Sequence, residues 1–297
     1  MSSKAIFYIT LTGFFFGTAL VAGRFALSQF DPIVYVSLRL VLSTLAFLAV
    51  YTFAAKRYPW PRWGPIWRHA ALLAIGTVTA MVCFTSSLLY LSSGLASIIN
   101  TAGPALTVLL AHFVLADEKL TWRKTVGIVL AIGGALLLIL RGESGLPDVS
   151  QTSNTGYLLL GIAIIVITAN TVYIRRFTRD FDPFQITSIQ VLLAGLVLTP
   201  FALSFIGIRW ELITWEGMAA LGYGAFIGTF VGFVLFLQIA QSFGATAAAM
   251  TNYVNPVFAT LTGMFLLGET VTVGMAVGMA IIVAGVWLVN RPQRETT

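Results

Sequence analysis

The sequence is poor in charge and in the side chains that most often do chemistry. Only 9% of its 297 residues are charged, against 58% hydrophobic, and mean hydropathy is +0.91, which excludes a water-soluble domain. A single cysteine, Cys83, excludes an internal disulfide and any cysteine-based metal cluster. Two histidines, His69 and His112, leave no His-Glu-x-x-His pair and no Ser-His couple from which to build a catalytic set. No Gly-Lys pair occurs, so the phosphate loop of an ATP-driven pump is absent. No cofactor and no metal is implied. A chain of this kind needs lipid as its solvent.

What is present is a map of uncharged runs. A central Lys, Arg or Asp costs roughly 2.5–3.5 kcal/mol in a bilayer, so charges mark where the chain leaves the hydrocarbon. Residues 5–23 and 33–55 predict the first two spans, the former being retained and not a cleaved leader. The run 70–116 carries no charge and is long enough for two, parted at Ser92-Ser93-Gly94. Residues 122–140 form the fifth, and 149–174 and 183–208 hold the sixth and seventh. The run 217–268 again divides in two, near Gln241 to Gly244, and 270–290 is the tenth.

All seven tryptophans (Trp60, Trp63, Trp67, Trp122, Trp210, Trp215 and Trp287) fall at ends of these spans, as an interfacial aromatic belt requires. Thirteen basic residues, among them Lys4, Lys56, Arg68, Lys124, Arg175 and Arg294, lie on one side of the ten-span map. Only Arg24, Arg141 and Arg209 lie on the other, with Arg39 inside a span. The positive-inside rule then places both termini in the cytoplasm. These loops account for the net charge of +6, which leaves a nucleic-acid partner without support.

A shift of 151 residues lays Arg24, Phe30, Asp31 and Pro32 on Arg175, Phe181, Asp182 and Pro183, and Glu118, Thr121, Gly127 and Gly134 on Glu269, Thr272, Gly278 and Gly285. Asn100 and Pro104 fall on Asn252 and Pro256 at 152, and Gln190 stands where the first copy has Arg39. Matches at polar positions are not produced by shared hydrophobicity, so the chain is read as a duplication, 1–145 and 150–297. Five spans per copy is an odd number, so the second copy enters the membrane upside down. The fold class expected is an all-α integral membrane protein of ten helices in two inverted repeats, an arrangement characteristic of alternating-access carriers with a site at the midplane.

The matched segments 96–104 and 248–256 carry the most information. A proline in a helix frees the carbonyl four residues earlier, and in both copies that residue is asparagine. A freed carbonyl and an amide at one level within lipid are tolerated where they face protein or a water-filled cavity. Either the helix kinks and the amides bond a neighbour, or Pro104 and Pro256 mark helix breaks lining a substrate cavity. In the second reading Asn100, Thr101 and Asn252 meet the solute, joined by Gln238 on span eight and by Tyr90, on span three, and Tyr253 as amphipathic faces. No Asp or Glu is expected to be buried where a coupling ion would ride; Glu118 and Glu269 read as structural, beside N-caps at Thr121 and Thr272. His112 is the one imidazole within a span: a coupling proton would have to use it, as a cavity residue, and otherwise it is expected to bond a neighbouring helix. Arg39 is expected to snorkel to the outer interface, with cavity lining as the alternative. Gly274 and Gly278 form a small-residue face for packing within the chain or at a dimer seam.

The segment 244–269, with Asn252, Pro256 and the closing Leu267-Gly268-Glu269, resembles the EamA repeat of the drug/metabolite transporter superfamily; the first copy resembles it more loosely, with Ala116-Asp117-Glu118 in place of Leu-Gly-Glu. The resemblance implies a ten-helix permease of the bacterial inner membrane, monomer or homodimer, exporting amino acids or other small metabolites. Its size and layout are similar to the aromatic amino-acid exporters. A channel is the alternative from another class. A nucleotide-sugar carrier would want several cavity cations, and only Arg39 is available.

Overall fold

The computed structural model describes residues 3–114, 120–147, 154–243 and 250–290. Among them all regular structure is helical. Span one is Ser3–Ala26, span two Pro32–Phe53 and span three Pro65–Ser87; span four is built from Ser93–Asn100 and Gly103–Val114. Span five is Trp122–Leu140, span six Asn154–Phe177 and span seven Pro183–Phe205. Span eight runs from Trp215 to Phe243 with a π-helical middle, Tyr223–Val231, and spans nine and ten are Thr251–Leu267 and Val273–Asn290. The chain is a multi-pass membrane protein, and six of its seven tryptophans project outward at span ends.

The helix starts follow from local chemistry. Asp31 and Asp182 precede Pro32 and Pro183, and each carboxylate accepts an amide of the first turn, Ile33 N at 2.8 Å and Gln185 N at 2.9 Å. Ser92 caps span four through Leu95 N at 3.0 Å, and Thr121 and Thr272 cap spans five and ten as expected. Span nine stops at Gly268, whose φ of 64° is left-handed and open to glycine at no steric cost.

The main pairings join one half of the chain to the other: one with eight and nine, two with seven and eight, three with six and seven, four with six and nine, five with ten. Adding five to each number returns the same set, the signature of a two-fold axis in the membrane plane. Spans five and ten show why glycine recurs there. A Cβ on Gly285 would stand 2.5 Å from the Gly127 carbonyl, and one on Gly134 would stand 3.1 Å from the Gly278 carbonyl, so the four repeat-matched glycines let two backbones touch. The Gly278 face is therefore packed within the chain, against Leu138, and Gly274 stands against Glu143.

Candidate functional site

Spans four and nine meet at their proline motifs. The Thr101 hydroxyl, buried, lies 3.0 Å from the Ser97 carbonyl and 3.3 Å from the Asn252 carbonyl, the one that Pro256 frees from its helix. The two copies solve the proline problem differently. Span four is interrupted at Thr101-Ala102, whereas span nine carries Pro256 inside a continuous helix. Asn100 and Asn252 are half-buried, and their side-chain amides have no hydrogen-bond partner among the described residues. Beside them Asn255 is buried with its Oδ1 unpaired. Span one closes on this region through glycine: a Cβ on Gly17 would stand 2.7 Å from the Asn255 carbonyl.

The other sequence-derived candidates divide. Tyr253 is half-buried on the core packed around spans four, five and ten. Tyr90 packs on the same core but is not on span three: that helix ends at Ser87, and Tyr90 sits in the 88–92 connection against Gly156, with the eight-residue helix Ser93–Asn100 between it and the asparagine level. Gln238 is exposed on the last segment of span eight, and among the described residues no hydrogen bond joins it to the asparagines. His112 accepts Leu120 N on Nδ1 at 3.4 Å, tying the end of span four to the connection that follows it.

Arg39 does not snorkel. Its Nε donates to Thr229 Oγ1 at 2.7 Å, and Thr229 lies at the midpoint of span eight, so the guanidinium reaches across the bundle instead of toward the interface. The lateral hydroxyl holds it, aided by Ser43, which bonds the Ala225 carbonyl at 3.1 Å and fixes span two to the π-helical segment. π-Helical turns recur at functional sites.

Glu269, read from the sequence as structural and at a span end, is buried as well. Glu269 is 4% exposed: its Oε1 accepts Ser93 N at 2.8 Å and pairs with Arg24 Nε at 3.1 Å, and its Oε2 accepts Ser93 Oγ at 2.8 Å and Gly94 N at 3.2 Å. Arg24 also donates to the Leu88 and Leu91 carbonyls. The left-handed turn at Gly268 sends Glu269 back over its own helix, and Gly263, where a Cβ would collide with the carboxylate, leaves the room. The burial comes from this return onto the start of span four, which already offers unpaired amides, and not from depth in the sequence map. Glu118, the repeat partner of Glu269, lies outside the described residues. At the same end the 141–147 connection receives Thr272 Oγ1 on Glu143 at 2.7 Å, Tyr157 Oη on the Glu143 carbonyl and Thr270 N on Gly145 at 2.9 Å.

Comparison with known proteins gives this geometry its context. The sequence profile of the EamA-like transporter family matches residues 3–140 and again residues 154–291. The chain belongs to the EamA-like transporter family. This EamA-like chain has relatives along nearly its whole length. It is 24% identical over 286 residues to an uncharacterized transporter of Archaeoglobus fulgidus, covering 95% of this chain and 97% of that one. It is 26% identical to the S-adenosylmethionine/S-adenosylhomocysteine transporter of Chlamydia muridarum, with 96% and 91% covered. To a protein of Salmonella typhimurium named "probable amino-acid metabolite efflux pump" it is 25% identical, with 97% and 95% covered. A crystal structure with a TM-score of 0.67 and 18% identity covers 97% of the chain and shares its fold.

Sequence reasoning missed two features of this EamA-like transporter. The close-packing role of Gly17, which lets span one approach the backbone of span nine, was legible in Gly13-Phe14-Phe15-Phe16-Gly17, a small-residue spacing on span one. The triplet Ile75-Gly76-Thr77, which recurs as Ile227-Gly228-Thr229 at a shift of 152, was the signal for the partner of Arg39.

Proposed function

We propose that this transporter is an exporter of small metabolites, amino acids first among them, that works by alternating access between its two halves, 1–145 and 150–297. It sits in a bacterial inner membrane with both termini cytoplasmic, and its solute passes between spans four and nine at the level of Asn100, Thr101 and Asn252. Pro104 and Pro256 set the backbone there, and Tyr253 borders it. The observation that carries this reading is the pair of half-buried asparagine amides without partners among the described residues, next to a buried hydroxyl already turned to a proline-freed carbonyl. Polar groups within lipid are costly unless they are used, and neutral ones release a solute as readily as they take it.

Exchange without obligatory ion coupling fits the placement of the acids. Glu269 is buried but already holds Arg24 and span four, which leaves it no place as a proton carrier, and His112 is engaged with the chain that follows span four. Counterflow of labelled amino acids in proteoliposomes tests the site. Asn100→Ala and Asn252→Ala are each expected to weaken apparent affinity by about 1–3 kcal/mol with normal protein yield. Unchanged affinity in both variants would move the site away from spans four and nine.

A further inference from the structure

The two repeats differ at one matched position in a way that the fold does not require. In the first repeat Arg39 donates to Thr229; in the second, Gln190 donates through Nε2 to Thr77. Gln190 is the repeat partner of Arg39, and Thr77 that of Thr229, so the same bond is built twice about the two-fold axis. A neutral amide suffices for it. The positive charge at Arg39 is therefore an excess, placed level with the middle of span eight where a cation costs roughly 2.5–3.5 kcal/mol.

The surroundings differ as well. Beside Thr77, Gly76 faces the Asn170 side chain, whose amide a Cβ would strike; beside Thr229, Gly228 faces Ala19, the repeat partner of Asn170. A polar side chain fills the space in one half, and a single methyl stands there in the other. Arg39 Nη2 lies 3.3 Å from where a Gly228 Cβ would be. Among the described residues no carboxylate reaches ion-pair distance of Arg39. Tyr35, one turn earlier, is wholly buried, and its hydroxyl proton has no acceptor among the described residues; a Cβ on Gly224 would strike that hydroxyl and stand 3.8 Å from Arg39 Cδ. Thr229 spends its own proton on the Gly224 carbonyl at 3.1 Å.

We propose that Arg39 and Tyr35 bind the carboxylate of the transported solute where spans one, two and eight meet. The guanidinium edge offers two parallel N–H donors to a carboxylate, and the phenol adds a third. One cation balances one carboxylate, which selects monocarboxylates and zwitterions over phosphates. This deepens the carrier reading above and rests on it, placing the acid anchor at Arg39 and leaving the asparagine level to the solute's uncharged and ammonium groups.

The test reads binding, not flux. Purified protein in detergent is heated with each of a panel of common L-amino acids and with the corresponding amides, which keep the side chain and ammonium but lack the carboxylate. At least one acid is expected to raise the unfolding midpoint while its amide does not. Arg39→Gln, which reproduces the Gln190 arrangement and so keeps the fold, should raise the half-maximal concentration by roughly tenfold or more. Tyr35→Phe should raise it less, with the fold equally intact. An equal response to acid and amide, no carboxylate-dependent response across the panel, or an unchanged response in Arg39→Gln would each overturn the assignment. Carboxylate binding through Arg39 without counterflow would instead sink the carrier reading, and with it the solute's transport, while leaving Arg39 as a carboxylate-binding residue.

Discussion

At the scale of single residues, the structure turns on polar groups whose partners lie far away in sequence. Glu269 is the clearest. Its four contacts join the turn after span nine to the start of span four and the end of span one, and it pairs, at 4% exposure, with an Arg24 side chain that is 18% exposed, so the pair is largely out of water. Removing one member of such a pair strands the other, at a cost of about 3–5 kcal/mol, while removing both is milder. Glu269→Ala is thus expected to lower the thermal midpoint sharply and Arg24→Ala/Glu269→Ala to recover part of it. A double variant no more stable than Glu269→Ala would show that the carboxylate acts only as a cap for span four. The loop position of this acid was legible, because Gly268-Glu269 follows an apolar run. Its burial was not, since that depends on Gly263 and Ser93 arriving from elsewhere. Arg39 gives the same lesson: its depth was visible, its direction was not, because only the position of Thr229 decides whether the side chain reaches outward or across.

At the scale of helices, glycine spacing decides who packs on whom. Gly127 and Gly285 bring spans five and ten to backbone contact, and backbone cannot yield to a new side chain as a flexible neighbour would. Gly285→Leu is expected to cost about 1–3 kcal/mol or more and to reduce the yield of folded protein. Gly133→Ala, on the open side of span five, should be neutral or stabilising by up to about 1 kcal/mol. Similar losses in the two variants, measured by thermal unfolding in detergent, would mean that the glycines serve the helix and not the contact. Caps, span ends and the glycine repeat were readable because they are local or periodic. The Thr101-Ala102 break was half readable: proline announced a disturbance in both copies, but which copy would interrupt its helix depends on neighbours, and the Thr101 hydroxyl turns out to serve the carbonyl of the other copy.

At the scale of the whole molecule, two inverted halves face each other across spans four and nine, and a two-fold axis relates their contacts. The charge map predicts the sides. In a Cys83→Ser background, Arg57→Cys is expected to react with an impermeant maleimide only from the cytoplasm and Arg141→Cys only from outside; both positions are exposed. Labelling of position 141 from the cytoplasm alone would invert the topology. Whether this architecture moves solute as a carrier is decided most directly by counterflow in proteoliposomes preloaded with unlabelled amino acid and held without any proton or sodium gradient. The expected result is a transient, saturable accumulation of labelled amino acid that survives His112→Ala. Flux that rises linearly with concentration and shows no overshoot, or that vanishes until a pH gradient is imposed, would contradict exchange by alternating access.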